Sequence, residues 1–154
     1  MRKNGFTLME LLVVIAIISI LTIVTVAQFN TAKKKANDVA RKGDLNAVSK
    51  AIQMYFTDYG VFPPVNKINW GDAFTDVSGY VYMKVLPVEN FTDIPYCYKI
   101  SLDGKKYALY ANLENTTDKE CTVGAYSCGG RPNAYCYGIT SPNTNLSEMN
   151  DVLP

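Results

Sequence analysis

The chain has 154 residues, a hydrophobic fraction of 48% and a formal charge of +1. It is long enough for one domain of ordinary size and has no basic excess of the kind that draws a protein to nucleic acid. It contains no histidine, which removes the commonest general base and the imidazole metal ligand from any catalytic scheme and leaves no catalytic residue to nominate.

The averages conceal a division. Residues 11–27 read LLVVIAIISILTIVTVA, and almost everything after Asn30 is polar or mixed. As a helix, Phe6 to Ala27 would extend about 33 Å, enough to cross a hydrocarbon layer of about 30 Å. Arg2 and Lys3 precede the run and favour a cytoplasmic N-terminus, whereas Lys33, Lys34 and Lys35 beyond it pull the other way. Glu10 is the one ionisable residue inside. A carboxylate at the centre of a membrane helix costs about 2.5–3.5 kcal/mol, and less near the headgroups. Nothing else in the apolar run can pair with it, so its partner is expected from another chain or from the chain's own terminus. The alternative is that Glu10 stays wet, being about 6 Å of helix from Phe6. A secretory signal cut after Ala27 is the rival for the whole segment, but its apolar region should run for only about 7–15 residues.

Met1 to Ile18, MRKNGFTLMELLVVIAII, resembles the leader and N-terminus of bacterial type IV prepilins and of type II secretion pseudopilins. The match covers the basic leader, Gly5 before the cut, Phe6 as the new N-terminus and Glu10 at the fifth mature position. Ser19 and Ala27 stand where many members carry Gly and Pro. The resemblance implies a prepilin peptidase that cuts between Gly5 and Phe6 and methylates the new amine. It also implies assembly in which Glu10 of one subunit neutralises the Phe6 amine of another. Implied partners are that peptidase, identical or related pilin subunits and an inner-membrane assembly platform. The implied location is the bacterial inner membrane, crossed once with the head outside the cytoplasm, then a periplasmic or extracellular filament. The implied function is a structural subunit of a type IV pilus-like filament, with a type II secretion pseudopilin driving protein export as the alternative.

Beyond the apolar run, Leu45, Val48, Ile52, Tyr55 and Tyr59 recur at spacings of three and four, one stripe of a helix that packs on a core. Gly60 and Pro63 stop it near Asp58. The stretch DLNAVSKAIQMYFTDYGVFPP, Asp44 to Pro64, resembles the segment that follows the membrane helix in pseudopilins. Lys33 to Lys35 read as a solvated helix face with Asp38 as a nearby acidic partner, or as a site for anionic headgroups or nucleic acid.

Residues 96–113 alternate around Asp103-Gly104, which predicts a hairpin, and Ala134 to Thr140 is a third candidate strand. Cys97, Cys121, Cys128 and Cys136 all lie in this half, the distribution of a domain that folds outside the cytoplasm with two disulfides. Their spacing is too wide for the paired ligands of a zinc site. Tyr135-Cys136-Tyr137 echoes Tyr96-Cys97-Tyr98, and on that echo Cys97 is expected to join Cys136 and Cys121 to join Cys128. Cys97 with Cys121 and Cys128 with Cys136 is the competing scheme. Glu148 and Asp151 offer oxygens of the kind that hold calcium in the C-terminal loop of major pseudopilins. They lack the EF-hand spacing, and a polar tail without a cofactor is the expectation.

The expected fold is α+β, a long N-terminal helix packed on a small antiparallel sheet, the pilin fold. Its divisions are a leader at 1–5, a membrane and filament-core helix at 6–28, an amphipathic continuation at 29–62 and a globular head at 63–154.

Overall fold

The computed structural model describes residues 6–150. Its axis is one α-helix, α1, Leu8–Tyr59, with 52 residues and a length of about 78 Å. Thr7 caps its start, and Gly60 ends it with φ 67° and an N–H bonded to the Phe56 carbonyl at 2.8 Å. That left-handed backbone is one a glycine adopts without Cβ strain. The helix therefore stops ahead of residue 62.

The head follows in chain order. A 3-10 turn at Val65–Lys67 leads to β1 (Phe74–Thr75), β2 (Val81–Met83), β3 (Cys97–Ile100) and β4 (Tyr107–Ala111). Then come β5 (Tyr126–Cys128), β6 (Arg131–Tyr135), β7 (Tyr137–Thr140) and a short helix α2 (Leu146–Asn150). The strands form three small antiparallel sheets, β1-β2, β3-β4-β7 and β5-β6. The β3-β4 hairpin turns on Asp103-Gly104, pairing Cys97 with Tyr110 and Ile100 with Tyr107.

Strand β4 is buried on both faces. Tyr107, Leu109 and Ala111 point to one cluster with Leu45, Val48, Ile52 and Tyr55 of α1, while Ala108 and Tyr110 point to another with Tyr135 and Met149. The period-two alternation of a strand thus divides the head into a helix side and a far side. Tyr59 departs from its expected core place. It is 41% exposed, stacks on Tyr55 at 4.5 Å and donates its hydroxyl to Asp76 at 2.9 Å.

The stripe of α1 that meets the head begins earlier than its apolar residues. Asp38 and Arg41 are buried and continue the same spacing. Arg41 bonds Asp38 at 2.5 Å, Glu89 at 2.8 Å and Glu114 at 2.9 Å. Asp38 also accepts the backbone N–H groups of Glu114 and Asn115, each at 2.9 Å. Lys42 reaches Asp118 at 3.0 Å and Glu120 at 2.6 Å. Burial opposes the Arg41 charge, but hydrogen bonds to Glu89 and Glu114 outweigh it and raise the guanidinium pKa. Asp38 is therefore a ligand of Arg41 and of two loop amides, not the acidic partner expected for Lys33 to Lys35.

Two expectations for the head are corrected. The segment 134–140 is not one strand: the chain leaves the β5-β6 sheet at Tyr135 and joins β4 from Tyr137. The cysteines pair as Cys97–Cys128 and Cys121–Cys136, with Cα separations of 6.1 and 4.7 Å. Neither the Cys97–Cys136 and Cys121–Cys128 scheme nor its competitor forms. The reason lies in the two sides of the sheet. Cys121 and Cys136 pack in the helix-side cluster, while Cys97 and Cys128 pack in the far one. The echo of Tyr-Cys-Tyr is local, because the change of sheet at Cys136 turns Tyr135 and Tyr137 into different clusters.

Candidate functional site

Gly5 lies outside the described residues, and Phe6 is 79% exposed just before the helix. Thr7 takes extended backbone angles, φ −82° and ψ 151°, and its hydroxyl oxygen accepts the Glu10 N–H at 3.2 Å. The Glu10 carboxylate accepts the Thr7 N–H and the Thr7 hydroxyl, each at 2.8 Å. This is a reciprocal capping box, in which a carboxylate three residues into the helix satisfies the amide of the cap. These hydrogen bonds lie within one chain and are additional to any charge partner that Glu10 has. The signal was present in Thr7-Leu8-Met9-Glu10, the T-x-x-E pattern ahead of an apolar run. The capping box supplies hydrogen bonds without a compensating positive charge: among the described residues Glu10 makes no ion pair.

The apolar half of α1 stands clear of the head. Leu8 is 82% exposed, Leu12 54%, Ile18 55% and Ile23 74%. A window of 18 residues in this helix reaches a mean hydropathy of 2.7 with none of it buried, so length and composition suffice to cross a bilayer. Two hydroxyls within it are satisfied internally, Ser19 donating to the Ile15 carbonyl at 2.7 Å and Thr22 to the Ile18 carbonyl at 2.8 Å. A span in hydrocarbon needs that internal satisfaction. The surface left uncovered is continuous and apolar, one that water does not tolerate at this extent.

The site therefore has two parts on one element: a carboxylate held at the tip of a helix, and an unpartnered apolar rod behind it. At the other end of the chain, Glu148 is occupied by Thr144 at 2.6 Å and Lys106 at 3.2 Å, while Asp151 lies outside the described residues. Among the described residues no group of three or more Cys, Asp or Glu stands ready for a metal ion. A cleft of about 630 Å³ in the head lies between Val61–Trp70 and strand β3 and is mainly apolar.

Residues 1–26 match the prokaryotic N-terminal methylation motif. The chain is 27% identical over 135 residues to the type II secretion system core protein G of Pseudomonas aeruginosa, covering 80% of this chain and 94% of that relative. The motif and this likeness together support a relation to type IV pilins and pseudopilins. No solved structure matches it. The helix that carries the motif is the same helix that carries the head, and its apolar half is bare.

Proposed function

We propose that this chain is made as a prepilin, cut between Gly5 and Phe6, methylated on the Phe6 amine and built into a type IV pilus-like filament through its N-terminal helix. The observation that carries this reading is Glu10, an acid in the motif of residues 1–26 with hydrogen bonds but no ion pair among the described residues. Cleavage would place a cationic amine at Phe6, and the Glu10 carboxylate of an adjacent subunit would neutralise it in a medium where an unpaired charge is costly. The apolar rod would pass from lipid to other rods without prolonged contact with water. The partners are a prepilin peptidase, identical or related subunits and an inner-membrane platform. The chain would cross the inner membrane once, with its disulfide-bonded head outside the cytoplasm.

The test is co-expression with a prepilin peptidase, reading intact mass and filament formation. Expected are loss of the first five residues with gain of one methyl group, retention of the leader in Gly5→Val, and a processed but unassembled Glu10→Ala. A mature start at Gln28, or wild-type filaments from Glu10→Ala, would overturn the reading.

A second setting for the same assembly, a pseudopilin in type II secretion, is favoured by the likeness to core protein G along 94% of that relative. Deleting the chain's gene would then leave secreted proteins in the periplasm, whereas in the pilus setting it would remove surface filaments and spare export.

A further inference from the structure

Lys33, Lys34 and Lys35 have no role in assembly as described. Consecutive helix positions turn by about 100°, so the three cannot share a face. Asn30, Lys33, Lys34 and Asn37 follow the i, i+3, i+4, i+7 rule and form one stripe. That stripe is one wall of an open cleft of about 430 Å³, whose opposite wall is Asn90, Phe91 and Glu114 from the head.

The wall's one carboxylate is already engaged. Glu114 accepts from Asn37 at 3.0 Å and Arg41 at 2.9 Å. The Asn37 bond holds its carboxyl below the usual range, with Arg41 and the nearby Lys34 charge acting the same way. The buried group around Arg41 carries two more negative charges than positive, and Lys34 faces part of that excess. Lys33 and Lys35 make no ion pair among the described residues, and all three lysines are exposed.

Position decides what the cleft meets. Lys33 lies about 9 Å beyond Ala27, the end of the apolar run, and the polar layer of a bilayer is roughly 5–8 Å deep on each side. Lysine stems reach back by several ångströms. Two aromatic side chains flank the level: Phe29 is 68% exposed and Phe91 is 50% exposed. Arg41 lies 5.3 Å from the Phe91 ring, and the Phe91 N–H bonds Glu89 at 2.7 Å. An exposed apolar ring at Phe29 beside lysines suits the boundary between acyl chains and headgroups, the ring on the apolar side and the ammonium groups on the polar side.

We propose that the cleft between Lys33-Lys34 and the Asn90-Phe91 loop binds the phosphate of an anionic phospholipid in the leaflet on the head's side. The two ammonium groups face the phosphate, the Asn30 and Asn90 amides donate to its oxygens, and Phe29, about 3 Å of helix beyond Ala27, sits among the upper acyl chains while Phe91 closes the outer side of the cleft. The headgroup then holds the subunit at a fixed depth until assembly removes it from lipid. This rests on the reading that the apolar half of α1 spans the membrane.

The test uses the full chain, extracted in mild detergent and examined by native mass spectrometry with added phosphatidylglycerol or phosphatidylcholine. The wild type should retain phosphatidylglycerol in preference to phosphatidylcholine, and K33Q/K34Q should lower that preference about ten- to thirtyfold. K50Q, an exposed lysine roughly 24 Å further along the helix, should leave it unchanged. Equal retention by K33Q/K34Q, or no headgroup preference in the wild type, overturns the proposal. Displacement of the lipid by millimolar glycerol 3-phosphate would reassign the cleft to a soluble phosphate and overturn the lipid source. Carbonate washing of membranes separates the two readings. A chain stripped by carbonate loses the span and the lipid site together, while a carbonate-resistant chain without lipid preference loses the lipid site alone.

Discussion

Arg41 shows how a single side chain can join parts of the molecule that are far apart in sequence. It links α1 to the loop at Glu89 and to the loop at Glu114, and its removal would leave buried carboxylates facing one another. Arg41→Met is expected to cost about 3–5 kcal/mol, the range for breaking a buried ion pair from one side. The denaturant midpoint read from Trp70, the single tryptophan, which packs edge-on against Tyr96 at 5.5 Å, checks it. Acid should weaken the same region. The Asn37 and Arg41 bonds lower the Glu114 pKa, and the Glu120 amide and Lys42 lower that of Asp118. A group whose folded pKa lies below its unfolded one stabilises fully above the unfolded value, about 4 for carboxylates, and loses that contribution as pH falls through the folded value. Denaturant midpoints should therefore hold between pH 7 and 5 and drop below pH 4, with a shallower drop in Glu114→Gln. None of this cluster was legible as core, because periodicity is read from apolar residues and this end of the stripe is charged. The Glu10 capping box is legible in the four residues Thr7 to Glu10.

Among the elements, those set by local rules could be read directly. The apolar run and the three-four spacing from Leu45 to Tyr55 gave the helix, and Asp103-Gly104 between alternating residues gave the β3-β4 hairpin. What sequence alone did not give depends on how the strands sort between sheets. Nothing local marks Cys136 as the point where the chain changes sheet, and the disulfide pairing follows from that change. The bridges span 31 and 15 residues and interleave along the chain. Loop-closure entropy assigns about 3.7 kcal/mol to the longer and about 3 kcal/mol to the shorter. Cys97→Ser/Cys128→Ser should thus lower stability by at least as much as Cys121→Ser/Cys136→Ser. Guanidinium melts of the two variants check the order, and peptide mapping should find one intact bridge in each; under either alternative pairing each double variant would have none.

At the scale of the whole molecule, α1 runs unbroken from the capping box to Gly60, and the head grips it from Asp38 onward. A continuous helix transmits rotation as well as length. Glu10 and Arg41 are separated along it by a fixed angle, roughly 220° at 100° per residue, so the direction in which the head faces is set by the direction in which the acid faces. One alanine inserted between Phe29 and Asn30 would swing the head by about 100° while lifting it about 1.5 Å, whereas seven inserted residues bring it within about 20° of its original bearing despite a lift of about 10 Å. If compass bearing governs how subunits dock, the short insertion is the more damaging of the two in a filament-formation assay, and damage that grows steadily with insert length would show that the joint between rod and head swivels.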